Sequence, residues 1–396
     1  MKIVIAPDSF KESLSAMEVA NEIESGFKMV LPDAEYIKVP VADGGEGTVQ
    51  SMVDATQGFI IELEVIGPLG NRVAAHYGIL GDHGETDGNN KVKTDGNNKV
   101  KTAIIEMAAA SGLHHVPANK RDPQITTSYG TGELICDALN RGIKRILIGL
   151  GGSATNDGGA GMAQALGIQL LDNEGKSLSV GGSSLAKLAR IELQDAHPLI
   201  VECEFEIACD VDNPLCGDKG ASAIFGPQKG ATPEMVSILN NALSHYADVI
   251  AQTGIQDRRH QAGAGAAGGM GLGTMAFLNA KLRPGIDIVM ETVKLSEKLI
   301  GADLVITGEG RLDSQTLHGK TPMGVTRLAK AQHIAVIAIA GCVSDDANVL
   351  LDHGIDAMFS ITPRSLPLEE VLANAKHNLF TTSQNIAALY AMNHKK

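Results

Sequence analysis

Acids, cations and hydroxyls gather in four glycine-rich stretches of this 396-residue chain, each just after a short apolar run. Asp8-Ser9-Phe10-Lys11 follows Ile3–Ala6, and Asp43-Gly44-Gly45-Glu46-Gly47 follows the run that starts at Tyr36. Gly151-Gly152-Ser153-Ala154-Thr155-Asn156-Asp157-Gly158-Gly159 follows Ile146–Ile148, and Gly308-Glu309-Gly310-Arg311-Leu312-Asp313 follows Leu304–Thr307. Glycine permits left-handed backbone and close approach to an anion. Backbone N–H groups and hydroxyls at a helix start are what an oligophosphate needs. The pattern points to an enzyme, and to phosphate as the group it handles.

Other motifs are weaker. Gly263 to Gly268 has the letters G-x-G-x-x-G, but Gln256–Gln261 before it is no strand, as a dinucleotide fold would require. A tight turn opening a helix near Met270 is the better reading. Ser314 to Thr321 nearly matches a phosphate-binding P-loop, with serine in place of the first glycine; Lys320 remains a candidate for reaching a phosphate. Asp210 and Asp212, after the run Phe205–Cys209, offer hard oxygens suited to Mg²⁺, although Asp-Asn pairs also make turns. Phe225-Gly226-Pro227-Gln228-Lys229-Gly230 reads as an ordered polar loop without an assignable role.

These loops need strands to present them. Residues 1–58 read β-α-β-α, with Val19, Ile23 and Phe27 on one helical face between Ser15 and Met29. From Phe59 to Leu80 two alternating runs joined by Gly67-Pro68-Leu69-Gly70 form a hairpin foreign to a doubly wound sheet. The βα rhythm returns near Ile286, with strands at Leu304–Thr307, Ala335–Ala340 and Ala357–Ile361, and a C-terminal helix over Leu368–Ala391. The expected fold class is α/β in two domains. Residues 1–58 and 286–396 form a flavodoxin-like parallel sheet, discontinuous in sequence, and residues 59–285 an inserted mixed α/β domain. In the strand order 2-1-3-4-5 the switch point lies between the strands leading to Asp8 and Gly308, facing the insertion across a cleft. Thr86–Lys93 is repeated identically at Thr94–Lys101, which reads as an extended exposed turn.

Composition narrows the partners. A formal charge of −13 disfavours nucleic acid and anionic membranes. The 5 cysteines show no metal-like spacing and read as reduced core thiols of a cytoplasmic protein. No apolar run is long enough to span a bilayer, and no leader precedes the first strand. Whether the chain forms a homo-oligomer is left open.

The blocks Ala6–Leu14, Ala42–Gly47, Glu106–Leu113, Gly151–Gly159, Phe225–Ala231, Gly263–Gly271 and Ile306–Gln315, in this order, closely resemble the bacterial glycerate kinase family (type I) over nearly the full length. The repeat at Thr86–Lys101 departs from the family's shorter turn and touches no motif. The resemblance implies ATP-dependent phosphorylation of D-glycerate, with 2-phosphoglycerate the favoured product. It also implies a flavodoxin-like domain interrupted by a second one.

Phosphoryl transfer needs positioning, charge neutralisation and a base. Lys11 and Arg311 are expected to hold the glycerate carboxylate or the transferring phosphoryl. Asp43 or Asp313 is the candidate base. Asp8, Ser9, Gly44 and Glu46 are candidate substrate contacts. Gly151, Gly152, Ser153, Thr155, Asn156, Asp157, Gly308, Glu309 and Lys320 are candidates for ATP, and Mg²⁺ would bridge to an aspartate. Two other readings remain: an NAD-dependent hydroxy-acid dehydrogenase built on Gly263–Gly268, and a small-molecule binding module without catalysis.

Overall fold

The computed structural model of the chain describes residues 1–81 and 101–392; of the tandem repeat, all but Lys101 lies outside the described residues. Two compact units emerge, one from Met1–Asp43, Gln50–Thr56 and Pro284–Lys396, the other from Gly44–Val49 and Gln57–Arg283.

The first unit is built on five parallel strands in the spatial order Ala357–Ser360, Ala335–Ala340, Leu304–Thr307, Lys2–Ile5, Glu35–Lys38. Ile3, Val4 and Ile5 are fully buried, as are Leu304, Val305 and Ile306, which is why these runs read as continuous apolar stretches rather than alternating ones. The helix Ala16–Lys28 starts with a capping box between Ser15 and Glu18 and lays Val19, Ile23 and Phe27 on the sheet. The C-terminal helical region is two helices, Leu368–Ala373 and Ala375–Met392, interrupted at Asn374. The helical stretch after Pro284 is likewise split into Gly285–Thr292 and Leu295–Lys298, because Lys294 adopts a left-handed φ of 54°.

The second unit holds a six-stranded mixed sheet. Lys281–Arg283, Glu204–Ala208, Arg145–Gly149 and Thr102–Glu106 run parallel, and Arg72–Ile79 and Phe59–Ile66 complete it antiparallel. The Gly263–Gly268 segment packs inside this unit. A Cβ at Gly268, where φ is 70°, would come within 2.0 Å of the Thr155 carbonyl oxygen. Its glycines therefore serve backbone packing, and the dehydrogenase reading gains no support.

Four cysteines are half-buried and Cys342 is exposed, so the expectation of core thiols fails for Cys342. No helix among the described residues is long and apolar enough to cross a membrane.

Candidate active site

In the first unit, the loops leaving Lys2–Ile5 and Leu304–Thr307 lie side by side because their strands pair in parallel register. The Asp8 N–H donates to the Gly308 carbonyl at 2.9 Å. A Cβ at Gly310 would sit 3.5 Å from the Lys11 backbone nitrogen. Lys11 and Arg311 thus spring from adjoining backbone, and both side chains are exposed.

Asp8 is fixed from two sides. The Thr321 hydroxyl donates to its Oδ2 at 2.7 Å, and the Ser9 N–H and hydroxyl donate to Oδ1 at 2.6 and 3.2 Å. Thr321 opens the helix Thr321–Lys330, so the helix start is tied to the first strand's loop. Burial, reinforced by the charge of Asp43, pushes the Asp8 carboxyl up to about 6 against these hydrogen bonds. Glu309 is similar: Thr316 donates to its Oε1 at 2.7 Å, and Lys320 Nζ lies 3.5 Å from Oε2. Burial raises it to about 7, with Asp8 adding to the rise and Thr316 and Lys320 opposing it.

Asp313 does structural work. It caps the short turn Ser314–Leu317, accepting from the Gln315 N–H at 3.1 Å, and it lies 3.4 Å from Arg311 Nε and 3.8 Å from Lys320 Nζ. Arg311 also donates to Ser344 Oγ at 3.0 Å. The structure thereby gathers Asp8, Ser9, Gly308, Glu309, Arg311, Asp313 and Lys320, with Asp43 close enough to act on Asp8.

The remaining candidates belong to the second unit. Gly44 is buried and Glu46 exposed. Their loop is held by Glu106, whose Oε1 accepts from the Val49 N–H at 2.8 Å; burial raises the Glu106 carboxyl, with the Glu46 charge contributing. In the Gly151–Gly159 loop only Gly151 and Gly152 are exposed; Ser153 is 7% exposed, and Thr155, Asn156 and Asp157 are fully buried. Asp157 accepts four hydrogen bonds, from the Ser128 N–H and hydroxyl (both 2.8 Å) and from the Gly159 and Gly161 N–H groups (both 3.2 Å). These groups shape the loop from beneath, and Gly151, Gly152 and Ser153 are what it presents. Lys229 supports it from within, donating to Ser153 Oγ at 2.8 Å and to the Thr155 carbonyl at 2.7 Å. Burial depresses Lys229 to about 7, with Asp157 opposing.

Asp210 and Asp212 are exposed, and no group of three His, Cys, Asp or Glu side chains suited to a metal occurs among the described residues. The pair offers two exposed carboxylates with no third such ligand beside them among the described residues.

Sequence reasoning missed Thr321, Thr316, Glu106 and Lys229 as site-shaping residues. Thr321 had a usable signal, since it follows Lys320 at a helix start. Lys229 had only its place in an unexplained polar motif.

The sequence model of the Glycerate kinase family matches residues 3–391. The chain is 54% identical over 391 residues to "Glycerate kinase" of Haemophilus influenzae, covering 99% of each. It is 54% identical over 392 residues to "Glycerate 2-kinase" of Escherichia coli K12, covering 99% of this chain and 98% of that one. A crystal structure provisionally assigned as glycerate kinase 2 from Salmonella typhimurium LT2 superposes with a TM-score of 0.88 at 52% identity, covering both chains completely.

Proposed function

The chain belongs to the glycerate kinase family, and we propose that it transfers the terminal phosphoryl of ATP to D-glycerate, releasing ADP and 2-phospho-D-glycerate. The 2-position follows the E. coli relative's description as a glycerate 2-kinase. In this reading the first unit is a flavodoxin-like domain interrupted by the second.

The observation that carries the chemistry is the Asp8 carboxylate, held by Ser9 and Thr321 at the parallel-strand switch point and shifted to about 6. A carboxylate poised there is ionised at neutral pH yet more basic than an ordinary one, as a general base should be. Asp8 takes the proton of the attacking glycerate hydroxyl as the new P–O bond forms and the bond to ADP breaks. Asp43, put forward above as a base, acts instead by keeping Asp8 basic through its charge. Asp313 orients Arg311 and Lys320. Lys11 and Arg311 hold the glycerate carboxylate or the transferring phosphoryl, and Lys320 an ATP phosphate. In the second unit, Gly151, Gly152 and Ser153 offer backbone and hydroxyl donors suited to phosphate. Mg²⁺ would arrive with ATP and neutralise phosphate charge.

Two measurements test the proposal. The purified chain should release ADP from ATP only when D-glycerate is present, and phosphorus NMR should place the new phosphate on the 2-hydroxyl. A nicotinamide absorbance change without ADP release would overturn the reaction, and a 3-phosphate product would overturn the regiochemistry.

A further inference from the structure

The Phe225–Gly230 stretch, which the reaction above leaves without a task, delivers a lysine to the interior of the second unit. Lys229 is 1% exposed. The short turn Pro227–Lys229 ends at Gly230, where φ is 96° and a Cβ would meet the Arg121 carbonyl oxygen at 2.4 Å, so the backbone is shaped to place this side chain. Taking an ammonium out of water is costly unless it is paired and hydrogen-bonded. An apolar side chain would fill the same space without that cost.

The direction of its hydrogen bonds shows what the ammonium accomplishes. An ammonium has donors only, so in the 2.8 Å contact Ser153 Oγ must accept, and the Ser153 hydroxyl proton is left to point elsewhere. Ser153 sits at the border between the exposed Gly151–Gly152 backbone and the buried part of the loop. The second contact, to the Thr155 carbonyl, fixes the loop two residues further on.

We infer that Lys229 is a positioning residue for nucleotide binding: it frees the Ser153 O–H to donate to a phosphate and clamps the Gly151–Asp157 loop through the Thr155 carbonyl. The inference rests on the reading that this loop holds ATP phosphates. The charged and titratable neighbours are Asp157 on the loop, Tyr246 facing Asp157 from the helix Pro233–Gln252, and Arg121 beside Gly230. With Lys229 lowered by burial to about 7, raising the pH turns it into an acceptor. The neutral amine gains a lone pair that accepts a hydrogen bond from the Ser153 hydroxyl in competition with a phosphate.

Titration calorimetry of ADP against the full chain, with thermal midpoints recorded alongside, tests this in wild type, Ser153→Ala, Lys229→Met and the double variant. Each single change should weaken ADP binding about tenfold, the loss of a hydrogen bond to a charged group, and the double variant should bind no worse than either. The gap between wild type and Ser153→Ala should narrow between about pH 6 and about pH 9. If folded Lys229→Met binds ADP like wild type while Ser153→Ala is weakened, the role of Lys229 is refuted and the loop reading stands. If neither binds more weakly, the loop reading falls and takes the inference with it. Should Lys229→Met fail to fold, the pH comparison decides, and a gap that stays constant refutes the inference.

Discussion

The two units bury charge in opposite ways. In the first, the carboxylates Asp8 and Glu309 remain partly open to solvent, and each accepts one hydrogen bond from a threonine hydroxyl, Thr321 and Thr316 respectively. Both are pushed upward, to about 6 and about 7. In the second, Asp157 and Lys229 are almost completely enclosed, Asp157 takes four donated hydrogen bonds, and Lys229 is pushed downward. A group that must exchange a proton with substrate needs access and an intermediate pKa. A group that shapes a loop needs satisfaction and enclosure. The first unit thus has the signature of chemistry and the second that of a scaffold for binding.

The comparison breaks most visibly at Asp8. Asp8→Asn keeps the size and most of the hydrogen bonding but removes the base, so kcat should fall by about 10²–10⁴-fold with the thermal midpoint little changed. Steady-state kinetics on folded protein checks this. A loss of that size in Asp43→Asn or Asp313→Asn, with Asp8→Asn active, would move the base to the other aspartate.

At the second unit the same kind of change should strike stability first. Asp157→Ala strands four donors and removes the counter-charge from Lys229, so it should destabilise the fold by about 3–5 kcal/mol in denaturant titration. A cost below about 1 kcal/mol would mean the site is open to water, and the contrast between the units would dissolve.

Glu309 and Lys229 should also respond to pH with opposite sign. Glu309 is raised in the fold from 4.5 to about 7, so across that interval the folded chain keeps a proton the unfolded chain has lost. Its contribution is fully present below 4.5 and is lost as pH rises through about 7, a change on the order of 3 kcal/mol. Lys229 is lowered from 10.5 to about 7, so its penalty is full below about 7 and is relieved as pH climbs toward 10.5. Stability curves of Glu309→Gln and wild type should therefore converge at acid pH and separate toward neutrality, with the variant the more stable. Parallel curves would refute the raised carboxyl.

How much of this was legible beforehand follows from distance along the chain. The strands of the first unit were readable because buried parallel strands are uninterrupted apolar runs, as in Ile3–Ile5 and Leu304–Ile306. The neighbouring of Asp8 and Gly308 followed from strand order alone. The partnerships that tune the site were not readable, because nothing local announces who meets whom: Thr321 meets Asp8 across 313 positions and Lys229 meets Ser153 across 76. Asp157 was placed among phosphate contacts because its loop looks like one. Two of its four internal donors come from Ser128, a segment that carries no signal of that partnership.

The smallest effect expected is at Thr321, and it separates positioning from chemistry. Thr321→Val preserves shape and removes the hydroxyl that donates to Asp8 Oδ2. That bond favours the ionised carboxylate, so its loss should raise Asp8 further above 6 and shift the acid limb of the kcat/KM profile to higher pH. At high pH, where Asp8 is ionised in both proteins, kcat should differ only a few-fold, roughly the worth of one hydrogen bond. Thr321→Ser should restore the wild-type profile. An acid limb unmoved in Thr321→Val would detach the observed pKa from Asp8, even if turnover had dropped.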